Sequence, residues 1–382
     1  MKPGDRADTE GMSAAAEPWA RILGADPRPW LLDSDEAPAR WVTLTALNDL
    51  PGVHPDVRAE RAAAVSSPMV QALLDRLPPW GEDTAVSGHD RPAYLPNMLA
   101  LLADLGLRGG DDDRVERALD GLCAHQDDGG RFLSFGRAPK RPEPLWGSLP
   151  CDTHIITEVL VRYGRADDPA TRLGLARIAA DLASTPQGSA WTCIPDPAVG
   201  FRGPGRKGDV CPQVSLEALR TFARLPPNER PAGLEDAART LLGVWRDRGA
   251  ARPYMFGHGY RFKTVKWPAF WYSTYWELDT LGRYPDLWRR GAAADRRALA
   301  ELVACLVAYN VSPDGTVTPR STYQGFSRHS FGQKKEASPV ATAWLAAVVR
   351  RFSELAGEVA AVDVTALGSS TGGTGTPRPP RT

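Results

Sequence analysis

The sequence predicts an all-α protein built from six pairs of helices, with one helix of each pair inside and one outside. Two observations carry this. Prolines recur before apolar runs along the whole chain, at Pro38, Pro96, Pro150, Pro212, Pro268 and Pro339, with separations of 58, 54, 62, 56 and 71 residues. Between these runs lie more polar stretches with one apolar stripe of helical period. No stretch reads as a convincing strand, and even spacing at this length is the mark of a structural repeat.

Each proline suits a helix start, because the first turn needs no backbone donor and the fixed φ is already helical. The runs that follow are apolar nearly all round, as in Met98–Leu102, Ile155–Val161, Val214–Leu219 and Val340–Leu345. They are therefore expected to be covered on both sides and to form the inner helices. Pro268 is expected to open another, through Ala269, Phe270, Trp271 and Tyr272. The striped stretches Asp113–Leu122, Thr171–Leu182 and Gly233–Trp245 are expected as outer helices with one solvated face. Residues 1–16 and 367–382 are polar or rich in Gly, Ser, Thr and Pro, so both ends are expected to be disordered around a domain of residues 17–366.

Composition narrows the function. The chain has 382 residues, with 46 basic and 46 acidic side chains, so no overall basic field favours nucleic acid. No apolar run reaches the roughly 18 residues that span a bilayer. The N-terminus lacks the apolar stretch of a secretory signal, and a cytoplasmic protein is expected. Five cysteines at irregular spacing do not read as a disulfide framework. In a reducing setting they are free thiols or metal ligands.

Links between outer and inner helices share a turn. Gln126-Asp127-Asp128-Gly129-Gly130-Arg131-Phe132 is the clearest, with looser versions at Pro186–Trp191 and Ser312–Val317. The glycine supplies the tight turn, and an aromatic or branched residue anchors it. This Gln…Gly…aromatic turn resembles the glutamine–tryptophan motif of squalene-cyclase and prenyltransferase repeats. With the inner and outer spacing, the resemblance covers roughly residues 30–360 and implies an (α/α)6 toroid.

Cys151 and His154 share the first turn of one inner helix, Cys211 stands at the start of the next, and Cys193 lies in the connection between them. Thiolate and imidazole suit tetrahedral zinc, and helix N-termini favour the thiolate. Cys151, His154, Cys193 and Cys211 are thus the candidate zinc ligands. Asp209-Val210-Cys211 resembles the Asp-x-Cys zinc ligands of protein prenyltransferase β subunits. The downstream histidine of that family is missing from the run after Pro268, which leaves His258 and His329 as substitutes. Lanthionine cyclases are similar toroids with two cysteines and a histidine on zinc, but their Cys-His-Gly signature is absent. Class II terpene cyclases carry Asp-x-Asp-Asp. Asp111-Asp112-Asp113 lacks that spacing and reads as a helix cap.

Asp152, Asp209 and His258 are the candidate catalytic residues. The aromatic segment Trp267–Trp276 suits either a core or a wall for an apolar substrate. Basic residues gather before three inner helices: Arg202, Arg206 and Lys207, then Arg261, Lys263 and Lys266, then Arg328, Lys334 and Lys335. Such a rim suits an anionic head group. The leading expectation is a cyclase or transferase for a prenyl or terpenoid substrate in a central cavity, with zinc as cofactor. A zinc-dependent peptide thioether cyclase is one alternative. A non-catalytic lipid- or peptide-binding toroid with a structural metal is another.

Overall fold

The computed structural model describes residues 17–82, 86, 88–138, 143–194, 196–200, 208–250 and 256–367. The two ends expected to be disordered, apart from Leu367, lie outside these residues, as do Arg202, Arg206 and Lys207.

The described residues are mostly helical, with only short two-stranded pairings. We label the principal helices α1 (Pro18–Leu23), α2 (Ala37–Val42, continued by a π-helical turn Thr43–Leu47), α3 (Pro55–Ser66), α4 (Leu95–Asp104), α5 (Asp113–Cys123), α6 (Pro150–Arg162), α7 (Pro169–Ala180), α8 (Pro212–Ala223), α9 (Leu234–Arg246), α10 (Thr274–Leu281), α11 (Ala293–Asn310), α12 (Pro339–Arg350) and α13 (Ala356–Ala360). Helices α4, α6, α8, α10, α12 and α2 pack each against the next in that order. Every residue of α6 from Pro150 to Leu160, and of α8 from Pro212 to Phe222, is buried. The outer helices α3, α7, α9 and α11 pack on the backs of α2, α6, α8 and α10 respectively, and α1 packs on α12. Outer helices bury one stripe only, as in α5 with Val115, Leu119 and Leu122. Among the described residues no helix is long and apolar enough to cross a membrane.

Proline opens α6, α8 and α12 as expected, and Leu95–Pro96 open α4. Pro268 does not open a helix. Lys266–Trp267 pair in parallel with Ser321–Thr322, and the helix begins six residues after the proline, where the Ser273 hydroxyl accepts from the Trp276 amide at 3.4 Å. The extended pairing holds the chain away from helical geometry until the serine cap. Across this break Trp267 and Tyr275 still meet, their ring centroids 5.1 Å apart. Trp267 stacks on Trp344 at 6.1 Å, while Trp271 stacks on His89 at 5.0 Å.

The turns repeat in their hydrogen bonding as well as in sequence. The backbone amides of Phe132, Trp191 and Val317 donate to Thr153 Oγ1, Ser215 Oγ and Thr342 Oγ1, at 3.1, 3.2 and 2.9 Å. Each acceptor stands three residues after the proline that opens its inner helix. Gln126 reaches the next outer helix, donating to Ala170 O at 2.9 Å. Gly130 has φ +85°, and a Cβ there would lie 2.6 Å from Leu173 O. Backbone freedom and close approach both require glycine at this position.

Candidate active site

The starts of α6 and α8 pack together and bury thiols and carboxyl groups. Leu149 caps α6 with help from its third residue: the Asp152 carboxylate accepts from the Leu149 amide at 2.8 Å. The other carboxylate oxygen accepts from the Tyr94 hydroxyl, also at 2.8 Å, which ties the start of α6 to that of α4. Cys211 sits at the cap of α8, and its amide donates to Trp191 O at 2.9 Å. That bond lays the strand-like segment carrying Cys193 along the start of α8. Cys151 and Cys211 are buried, while Cys193 is half-buried. Burial pushes the Cys151 thiol well up, and Glu217, Cys193, Asp152 and Cys211 add to the effect. Burial also raises Cys211, with Cys193 the next contributor. The three thiols thus lie within electrostatic reach of one another, and burial favours the protonated form of Cys151 and Cys211.

The other sequence candidates lie elsewhere. His154 is buried and turned to the side of α8, where Nδ1 meets Val214 O at 3.0 Å. Burial lowers its pKa to about 4, so the ring is neutral at pH 7. Asp209 is half-buried near the surface and accepts from Gln187 Nε2 at 3.3 Å. His258 lies fully buried in an aromatic box formed by Trp245, Phe262 and Tyr272, with Nε2 3.1 Å from the Tyr272 hydroxyl. His329 is buried, stacked on Phe331 at 5.3 Å. Among the described residues no three His, Cys, Asp or Glu side chains are arranged to hold a metal ion. The zinc reading therefore rests on the donor chemistry of the thiols.

The sequence reading missed Glu217. It lies in the middle of α8 and is 1% exposed. Gln213, one turn earlier, donates to Glu217 Oε1 at 2.6 Å. Glu217 Oε2 and Gln213 Oε1 are buried without a hydrogen-bond partner among the described residues. Burial raises the Glu217 carboxyl well above the ordinary range, against the pull of Gln213 and Arg220. Burial thus favours the protonated form of an acid that lies beside two thiols and Asp152. The signal was a single glutamate inside an otherwise apolar inner run. Glu158 shows the same pattern on α6.

Deeper along the inner helices the space closes. Arg220 lies over the Trp276 ring at 3.8 Å. Ala100, Asp104, Arg220, Trp276 and Trp344 help to bound a cavity of about 20 Å³, room for one water. Non-helical residues border it too: Pro268, Ala269 and Phe270. Of the remaining basic rim residues, Lys263 is buried and donates to Leu367 O at 3.1 Å, and Lys266 lies over Tyr323 at 3.8 Å. Arg261, Arg328, Lys334 and Lys335 are exposed. The chain matches no protein-family model and no curated protein.

Proposed function

We propose that the chain is an enzyme of the α/α-toroid type, a cyclase or transferase that acts on an apolar, prenyl-like substrate by general-acid chemistry. The order in which the six inner helices pack supports the toroid reading. The observation that carries the chemistry is Glu217, a buried neutral carboxylic acid with one oxygen unengaged among the described residues. Protonation of an alkene needs an acid that keeps its proton until the substrate arrives, and burial supplies that condition. Asp152, an acceptor held by Tyr94 and Leu149, is the neighbouring carboxyl that receives a proton back. The closed space requires the half-buried segment around Ala269 and Trp271 to shift as substrate enters.

The test is to incubate the full chain with farnesyl diphosphate, geranylgeranyl diphosphate and squalene, and to read products by mass spectrometry. Glu217→Gln is expected to lower turnover by about 10²–10⁴-fold while circular dichroism stays unchanged. No product from the parent protein, or undiminished turnover in Glu217→Gln, sinks the reading.

The cluster of three thiols favours a second reading, a zinc-thiolate enzyme such as a peptide thioether cyclase. Metal content after purification under reducing conditions decides it. About one zinc per chain, lost in Cys151→Ser and Cys211→Ser, supports it. No metal, with all five thiols titrating after unfolding, removes it. Zinc retained in both variants with no activity points instead to a structural metal in a binding toroid.

A further inference from the structure

The C-terminal ends of the inner helices gather charge in unequal numbers. Among the described residues, Arg162, Arg220, Arg224, Arg283 and Arg351 share Asp104, Glu158 and Asp279. Glu158 Oε1 accepts from Arg220 at 3.2 Å and Arg224 at 3.1 Å. Asp279 Oδ1 accepts from Arg351 at 2.7 Å and Arg283 at 3.1 Å. That leaves five guanidinium groups on three carboxylates.

Helix C-termini carry partial negative charge, which offsets some excess. Other contacts already serve these ends. Arg108 donates to Ala103 O at the end of α4, Arg230 to Ala223 O at the end of α8, and Arg351 to Asp279 O on α10. The surplus is also visible in the groups themselves. Arg220 Nη1, Arg220 Nε and Arg283 Nε are buried without a hydrogen-bond partner among the described residues, although Arg220 Nε lies 3.8 Å from Asp279 Oδ2. The Arg220 side chain is only 4% exposed. Burial, and then Arg224, lower the Arg283 pKa to about 9, far below any ordinary guanidinium. Arg224 is lowered too, by burial and then by Arg162. Yet the place is reachable, because the Arg224, Arg283 and Arg351 side chains keep 21%, 22% and 28% exposure.

We propose that this end of the molecule binds a small phosphate-class oxyanion, held by Arg224, Arg283 and Arg351 above the buried Arg220. Guanidinium forks match phosphate oxygens in pairs, and the unpaired N–H groups find acceptors there. The site lies at the opposite ends of the helices from the thiols, and it stands whether or not the chain is a prenyl enzyme.

The probe is inorganic pyrophosphate at constant ionic strength, followed by calorimetry and by the thermal midpoint of the full chain. Saturable binding with a rise in the midpoint is expected. Arg283→Gln is expected to raise the midpoint without anion, because it relieves like-charge repulsion, and to weaken pyrophosphate about tenfold or more. Arg224→Gln, read by calorimetry, is expected to weaken it similarly and tests the site at a second residue. Absence of saturable binding, parent-like affinity in both variants, or a lower midpoint in anion-free Arg283→Gln overturns the proposal. The last outcome would make Arg283 an ordinary ion-pair partner.

Discussion

Glu158 and Glu217 look alike in sequence, each a lone carboxyl in an apolar inner run, and Glu277 is a third carboxyl buried on an inner helix, two residues before Asp279. Their surroundings separate them. Burial alone would raise Glu158, but Arg220, Arg224 and Arg162 hold it down to about 2. Glu277 has no such cation in contact, and burial raises it to about 8, with Tyr272 opposing. Substitution should therefore change stability in opposite directions. Glu158→Gln leaves Arg220 and Arg224 without their shared anion and is expected to cost about 3 kcal/mol. Glu277→Gln removes a group whose folded state binds the extra proton. The stability that Glu277 contributes is complete below its ordinary value of 4.5 and is lost as pH rises through about 8. Above that pH the glutamine variant is expected to be the more stable protein by about 5 kcal/mol. Urea unfolding across a pH series checks both. A flat difference between parent and Glu277→Gln over that range would refute the assignment.

At the scale of elements, the repeat is held by a side chain that closes each turn onto the next inner helix. The hydroxyls of Thr153, Ser215 and Thr342 take the amide of the turn's anchoring residue, and all three are buried. Thr342→Val keeps the volume but leaves the Val317 amide without its acceptor. A loss of about 1–3 kcal/mol is expected, measured as a fall in the urea midpoint at unchanged slope. Loss within error would mean that water replaces the hydroxyl. The Gln…Gly…aromatic turns were legible in the sequence because glycine and aromatic anchors have few other uses at that spacing. The hydroxyl partners were not. A Thr or Ser in a helical run gives no sign of which distant amide it will meet. The helix expected from Pro268 failed for a related reason. The pairing of Lys266–Trp267 with Ser321–Thr322 joins residues more than fifty positions apart, and local pattern is blind to it.

For the whole molecule, the inner helices place like ends together. Their starts collect Asp152, Tyr94 and three thiols, while their ends collect the arginines. This matches the polarity of the helix dipole, positive at the start and negative at the end. The two ends therefore differ in chemistry. One holds Asp152 and the thiols, and the other a surplus of guanidinium groups. The space between is closed by Arg220 on Trp276.

Sequence alone determined the helical class, the inner and outer layers and the places where most inner helices start. Those features follow from periodicity and from proline, which act over a few residues. It also picked out Cys151, Cys193, Cys211 and Asp152, which the structure draws to one place. Only the tertiary structure decided which way His154, Asp209 and His258 turn, and which glutamate is paired and which is neutral. Those outcomes depend on burial and on charges brought from other helices. A carboxyl between arginines and a carboxyl between apolar walls are the same letter in a sequence, and only packing tells them apart.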